Sequence, residues 1–157
     1  LGLENIIAIA MSDAVLVADK ERAQDVKLVV EDLKKKNIPQ AEVFPIFHRP
    51  WGWFETLIVK KGSFQVKRIM VNPGGALSLQ SHQYRSEHWV IVEGEAEVTV
   101  DQEKKLLVEG ESIYVPLGTI HRLKNSSQFP TLIIEVQTGS YLGEDDIVRY
   151  DDIYSRN

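Results

Sequence analysis

Several side chains that can bind metals or move protons are crowded between residues 77 and 94, in "LSLQSHQYRSEHWVIVEG". Imidazole nitrogens, carboxylate oxygens and amide oxygens are ligands for divalent metals, so Gln80, His82 and Glu87 are candidates for half of a metal site. They are equally well described as polar residues at a strand end and its turn, because most histidines on strands are explained by a hydrogen bond. Both interpretations fit this stretch when it is considered alone.

Other polar residues in and near this stretch carry weaker signals. Arg85 lies in the expected turn before Glu87, where a fixed guanidinium fork would suit a phosphate or carboxylate; a plain surface arginine is the alternative. His88 follows Glu87 directly, so on a strand it would face the opposite way, and we expect a supporting or packing role. His48 lies in a proline-rich connector without a partner and is expected to be structural.

The composition favours one main domain that binds neither nucleic acid nor membranes. The 157 residues include 18 basic and 23 acidic side chains, a net charge of -5, without a run of basic residues. No apolar run reaches the roughly 20 residues of a membrane-spanning helix and no signal peptide is recognisable, so we expect a cytoplasmic protein. There are no cysteines, so a metal (Zn, Co, Mn, Ni, Fe or Mg) would be held by His, carboxylate or amide groups.

The first 40 residues differ in pattern from the rest. Residues 6–10 and 14–18 are short apolar runs that predict two strands, and apolar spacing after Asp19, a candidate N-cap, predicts a helix of about four turns. Prolines between residues 37 and 50 indicate a connector, so we place a domain boundary near residue 40. Beyond it, short strand-like runs alternate with glycine-rich breaks, which is typical of an antiparallel sandwich or barrel.

One later stretch, "GESIYVPLGTIHRLKN", resembles the second motif of the cupin superfamily at every fixed position. These positions are Gly110, Pro116, Gly118, His121 and Asn125. Each has a physical role: the glycines and the proline permit tight turns, and His121 then begins a strand with its side chain free to point into a barrel. The resemblance implies an all-β cupin double-stranded β-helix, or jelly-roll barrel, preceded by a short β-strand/α-helix segment.

The first cupin motif fits when it is registered from Gly74. The family spacing then leads to Gln80 in place of the usual first histidine, followed by His82, Glu87 and Gly94. A register that uses His82 and Tyr84 instead would spoil the distances at both ends. The resemblance therefore implies a metal site made of Gln80, His82, Glu87 and His121, with Gln80 and His82 on one face of a strand.

A closer resemblance is to the C-terminal domain of type II phosphomannose isomerases. It covers residues 49 to 155 and is carried by "RPWGWFETL", "FQVKRIMVNPGGALSLQSH", "RSEHWVIVEGEAEV" and "GEDDIVRYDDIY". In that family the cupin domain follows a mannose-1-phosphate guanylyltransferase domain. Residues 1–40 resemble the closing segment of such a nucleotidyltransferase domain, which would explain the start at Leu1. We expect 41–157 to be the cupin domain, and guanylyl transfer to require a part of the protein that this chain lacks.

The resemblance implies interconversion of mannose 6-phosphate and fructose 6-phosphate in GDP-mannose biosynthesis. Such chemistry moves a proton between C1 and C2 through an enediolate, which a metal stabilises. Arg85 and Glu87 are expected to act in catalysis, and Arg85 and Lys67 to bind the sugar phosphate, while the general base stays open. Cupins often dimerise, so a homodimer is expected.

Two other functions compete with this one. A non-catalytic cupin would bind sugar phosphate or only support the oligomerisation of a guanylyltransferase. Convergence of the four expected ligands would favour the isomerase, whereas diverging side chains or a filled apolar barrel would favour the non-catalytic domain. Another cupin enzyme, such as an epimerase or a dioxygenase, is disfavoured by the "RPWG" and "RSEHW" segments.

Overall fold

The computed structural model describes residues 1–11, 14–42 and 46–154. Contacts divide the chain into two compact units, Leu1–Phe44 and Pro45–Asn157. Pro45, which belongs to the expected connector, lies outside the described residues.

The first unit is a hairpin followed by a helix. Strands β1 (Ile6–Ala10) and β2 (Val15–Asp19) pair antiparallel. The Asp19 side chain accepts a hydrogen bond from the backbone N–H of Glu21 at 2.8 Å, as its expected capping role requires. The helical segment begins as a 3-10 helix, Lys20–Asp25, and continues as α1 (Val26–Lys35), so the α-helical part is shorter than the apolar spacing predicted.

The second unit contains eleven strands within its described residues. They are β3 (Ile46–Arg49), β4 (Gly52–Lys60), β5 (Phe64–Val71), β6 (Leu79–His82), β7 (Arg85–Glu93), β8 (Glu95–Val100), β9 (Glu103–Val108), β10 (Ser112–Val115), β11 (His121–Lys124), β12 (Thr131–Gly139) and β13 (Ile147–Asp151).

These strands form two antiparallel sheets. One has the order β10-β7-β12-β5-β4-β3 and the other the order β13-β6-β11-β8-β9. Inward positions alternate with outward ones, most regularly along β12, because successive side chains on a strand point to opposite faces. Residues of both sheets, such as Trp89 and Ile133 from one and Val98 and Leu123 from the other, join in a single buried core cluster. The expectation of an all-β domain behind a short strand and helix segment is confirmed.

Two strands were not expected from the sequence. Strand β3 lies inside the stretch interpreted as a connector, and β13 lies in the acidic segment near residue 150. Both are edge strands, and most of their side chains are exposed, so neither has the apolar alternation by which a half-buried strand is recognised. Their positions still matter, because β3 flanks the "RPWG" turn and β13 pairs with β6.

Candidate metal centre and its pocket

The two sheets bring the expected metal ligands together inside the barrel. Gln80 and His82 lie two residues apart on β6 and therefore share a face. His121, the first residue of β11, is paired directly with Gln80 in the same sheet, so its side chain belongs to that face as well. Glu87 comes from β7 in the opposite sheet.

Three of these residues form a compact buried group. Ligand atoms of His82, Glu87 and His121 all lie within 4.8 Å of one another. The Nε2 atom of His82 is 3.0 Å from Oε1 of Glu87, and Nε2 of His121 is 3.6 Å from Oε2. Each side chain is at most 2% exposed. Two imidazoles and a carboxylate at these separations could hold a divalent metal ion.

Several polar atoms of this group are buried without a hydrogen-bond partner among the described residues. They are both ring nitrogens of His82, Oε2 of Glu87 and Nε2 of His121; the short distance from His82 to Glu87 lacks the angles of a hydrogen bond. Unpaired buried polar atoms cost free energy and are uncommon in native proteins. A bound cation would give a partner to one of these atoms from each of the three residues at once, so the donor set fits a metal.

Gln80 lies beside this group, and its ligand role stays a prediction. Its side chain is buried, and its Oε1 accepts a hydrogen bond of 2.8 Å from Oγ of Ser78. An amide oxygen has two lone pairs, so this bond leaves one lone pair for a metal.

The charges in the group favour metal binding. Burial alone would raise the pKa of Glu87, but the close contact with His82 and the charges that His121 and Arg85 can carry hold that pKa well below its ordinary value. Glu87 is therefore a carboxylate at neutral pH. Burial lowers the pKa of His121 against the opposing effect of Glu87, which favours the neutral imidazole that metals require.

The position expected for Arg85 was wrong in one respect. It does not lie in a turn but begins β7, buried on the same face as Glu87 because the two residues are two apart. Its Nε lies 3.3 Å from Oε1 of Glu87, and its Nη1 donates to the carbonyl oxygen of Gly143 at 2.7 Å. Oδ2 of Asp146 lies 3.9 Å from Nη1 of Arg85. Its guanidinium is thus largely committed to protein partners.

Lys67, on β5, is also buried and lies next to the centre. Its Nζ lies 4.8 Å from the centroid of the Phe54 ring and 2.5 Å from Oε1 of Glu144. In the strand register Lys67 is paired with Glu135 of β12. Its role in substrate binding stays a prediction.

Two residues of β12 belong to this site although the sequence analysis did not select them. Gln137 is paired with Glu87, and its Nε2 donates to Glu87 at 2.8 Å and to Glu135 at 2.9 Å. Glu135 also accepts a hydrogen bond from Nε1 of Trp89 at 2.9 Å. Burial and the neighbouring charge of Glu87 raise the pKa of Glu135 to about 8. Both residues could have been recognised in the sequence, because they are polar and occupy inward positions of the otherwise apolar strand "TLIIEVQTG".

The histidines expected to stay outside the centre do so. His88 is exposed on the outer face of β7, where its ring is 6.4 Å from that of Tyr114. His48 is exposed on the edge strand β3.

A pocket opens beside the centre. Gln80 and Glu87 line it, together with Glu135. Four cations also line it: Arg49, Lys67, Arg85 and Arg149. The combination of carboxylates near the ligands and several cations suits a ligand that is both hydroxylated and anionic.

The "RPWG" segment shapes one wall of this pocket. It forms the turn from β3 to β4, in which Arg49 is paired with Gly52, and both Arg49 and Trp51 line the pocket. Gly52 has φ +147°, and a Cβ at this position would lie 1.9 Å from the carbonyl oxygen of Met70. Only glycine fits this close approach.

Family models match almost the whole chain. The model described as "Mannose-6-phosphate isomerase C-terminal" matches residues 36–152, and the model "MannoseP isomerase/GMP-like beta-helix domain" matches residues 1–33. The assignment of residues 1–40 to the end of a nucleotidyltransferase domain, and the boundary near residue 40, stay predictions.

Curated relatives match along the full length of the chain. The chain is 50% identical over 156 residues to the xanthan biosynthesis protein XanB of Xanthomonas campestris and 47% identical to the alginate biosynthesis protein AlgA of Pseudomonas aeruginosa. It is also 47% identical to the mannose-1-phosphate guanylyltransferase of Escherichia coli. In each case 99% of the chain is covered, but only 33%, 32% and 32% of the relative. The chain thus spans about a third of the length of these relatives.

Solved structures confirm the cupin fold. An RmlC-like cupin from Shewanella frigidimarina matches with a TM-score of 0.55 and 23% identity, over 64% of this chain and 86% of that one. KdgF from Halomonas matches with a TM-score of 0.55 and 15% identity, over 65% and 90%. These identities support the fold alone. In the part of the chain that the structure describes, no helix has the length and apolarity to cross a membrane.

Proposed function

Because the chain belongs to the mannose-6-phosphate isomerase C-terminal family, as its motifs predicted, we propose that it interconverts mannose 6-phosphate and fructose 6-phosphate. The observation that carries this proposal is the convergence of His82, Glu87 and His121 beside a pocket lined by cations. A non-catalytic barrel would have little reason to keep such a group of unpaired polar atoms buried.

The pocket offers separate surfaces to the two ends of a sugar phosphate. The sugar hydroxyls lie toward Gln80 and Glu87, and the phosphate lies toward Lys67 and Arg49. Arg85 holds the Glu87 carboxylate and reaches the pocket with its remaining guanidinium N–H groups. We therefore assign Arg85 mainly to the sugar oxygens and Lys67 to the phosphate.

His82, Glu87, His121 and Gln80 would hold a divalent metal. Bound there, it would supply electrostatic stabilisation of the negative charge that develops on the sugar oxygens at C1 and C2. The chain's residues orient the sugar and exclude water, since the whole ligand group is buried.

Proton transfer between C1 and C2 needs a group that the ligand set leaves free. Glu135 lines the pocket, and Trp89 and Gln137 fix its orientation through hydrogen bonds. Glu144, the other pocket-lining carboxyl outside the ligand set among the described residues, is paired with Lys67. We assign the role of proton carrier to Glu135 on this geometry.

The cellular role follows from the relatives. Proteins named for xanthan and alginate biosynthesis and for mannose-1-phosphate guanylyl transfer suggest that the domain serves GDP-mannose supply for polysaccharides. A longer protein that carries this domain would also transfer guanylyl groups. We propose a cytoplasmic homodimer whose ligand is a small sugar phosphate.

The proposal is tested by turnover. The chain, loaded in turn with Zn, Co, Mn, Ni, Fe or Mg, is incubated with mannose 6-phosphate, and fructose 6-phosphate is measured. His82→Ala is expected to lower turnover at least about 100-fold, whereas His88→Ala, which removes an exposed histidine, is expected to retain it. Absence of turnover by the unmodified chain with every metal would overturn the proposal and leave the non-catalytic, sugar-phosphate-binding or oligomerisation domain as the better account.

A further inference from the structure

The Glu144 carboxylate lies where an anionic ligand would be expected. Its Oε1 is 2.5 Å from Nζ of Lys67. The Lys67 side chain is only 6% exposed, whereas that of Glu144 is 49% exposed. The lysine is therefore a fixed part of the pocket wall, and the carboxylate approaches it from the solvent side.

Two more cations attract the Glu144 carboxylate electrostatically. Burial alone would raise the pKa of Glu144, but attraction by Lys67, Arg85 and Arg49 lowers it. Both arginines line the same pocket. A carboxylate attracted by three cations marks the place where any other anion in the pocket would be most stable.

The backbone around Glu144 is held by contacts that do not involve its side chain. Arg85 donates to the carbonyl oxygen of Gly143 at 2.7 Å, and Gln65 donates to that of Leu142 at 3.1 Å. Asp146 accepts hydrogen bonds from the backbone N–H groups of Gln83 and Tyr84. The Glu144 side chain can consequently rotate into solvent while the segment stays in place.

We propose that Glu144 is the internal occupant of a phosphate subsite formed by Lys67 and Arg49, beside the positive charge of Arg85, and that the phosphate of the ligand displaces it. This inference rests on the proposed function and adds the location of the phosphate and a residue that sets specificity. A phosphate dianion carries more charge than a carboxylate and offers three oxygens, so it competes well for three cations. A neutral sugar has no group that could displace Glu144, so the ion pair between Lys67 and Glu144 selects for phosphorylated ligands.

The test measures the binding of inorganic phosphate by calorimetry, without any turnover. Glu144→Gln keeps the shape of the side chain and removes its charge. It is expected to tighten phosphate binding about three- to ten-fold, because the half-exposed Glu144 carboxylate no longer competes with phosphate for Lys67. Asp145→Asn is the matched control: it removes one negative charge from the same segment, but Asp145 bonds to Tyr141. It should change the affinity less than about two-fold.

A second pair of variants separates local competition from a general charge effect. In a Lys67→Met background, whose fold is checked by its unfolding transition, Glu144→Gln should have no more effect than Asp145→Asn. Unchanged or weaker phosphate binding by Glu144→Gln in the unmodified background would overturn the inference, as would a gain that persists without Lys67. Since phosphate binding is measured apart from isomerisation, its failure is distinguishable from failure of the proposed function.

Discussion

The Nδ1 atom of His121 lies 2.9 Å from the carbonyl oxygen of Thr119. Since a carbonyl oxygen only accepts, Nδ1 of the neutral ring carries the hydrogen, and the lone pair of Nε2 faces Glu87. The hydrogen bond from Nδ1 to the Thr119 carbonyl fixes both the tautomer and the orientation of the ring, as is usual for histidines that bind metals. His121 is thus prepared as a ligand by its own backbone neighbourhood.

Removal of this ligand should abolish tight metal binding. His121→Ala is expected to weaken the affinity for Zn or Co at least about 100-fold, more than the loss of an outer partner usually costs. Titration calorimetry measures the affinity, and His88→Ala serves as the control because His88 is exposed on the outer face. Equal losses in both variants would place the metal elsewhere.

Metal should stabilise the folded chain, because the unpaired atoms of His82, Glu87 and His121 gain a partner. At a free metal concentration of 100 times Kd, the free energy of unfolding should rise by about 2.7 kcal/mol. Thermal unfolding with metal and with chelator measures this effect. His121→Ala should show little difference between the two conditions; a rise as large as that of the unmodified chain would contradict the assignment.

The stability of the metal-free protein should depend on pH through Glu135. Its pKa is raised from 4.5 to about 8 in the folded state, so between these values the folded protein holds a proton that the unfolded chain has lost. The stability from this group is fully present below pH 4.5 and is lost as pH rises through 8. Glu135→Gln lacks this titration, so relative to the unmodified chain it should gain stability, on the order of a few kcal/mol, from pH 5 to pH 9. Denaturant unfolding across this range measures the difference; parallel profiles would show that Glu135 titrates normally.

The turn that carries Arg49 depends on Gly52. Gly52→Ala should lower the free energy of unfolding by at least about 3 kcal/mol, since the new methyl group would collide with the Met70 carbonyl. Gly62→Ala is the matched control, because Gly62 also has a positive φ of +67° but open space around it, and it should cost about 1 kcal/mol. Similar losses in both variants would contradict the steric account.

Much of the centre could be predicted because its residues occupy fixed positions on two short motifs. His82 and Glu87 flank one turn, and His121 follows a turn that proline and glycine specify. For these residues, the resemblance to the two cupin motifs predicted a common interior site, and strand alternation placed Gln80 and His82 on one face. Arg85 was placed in the turn because polar residues surround it, although its spacing from Glu87 already implied the same buried face.

The rest of the pocket depends on pairings that local patterns do not record. Glu135 and Gln137 face the centre because β12 lies between β7 and β5, and no feature near residue 135 specifies those neighbours. Glu144 reaches Lys67 across a long sequence separation, from a segment whose acidic residues resemble a solvated surface. Such contacts are set by sheet order and register, which a single sequence leaves open.

The central place of β12 has a consequence for how the protein folds. In the part of the chain that the structure describes, β5 and β7 do not pair with each other; β12 lies between them and pairs with both. During synthesis, β5 and β7 leave the ribosome well before this strand, so the larger sheet is completed only after β12 has been made. Folding that waits for such a distant strand is slow, and we expect the nascent domain to depend on chaperones until β12 is in place.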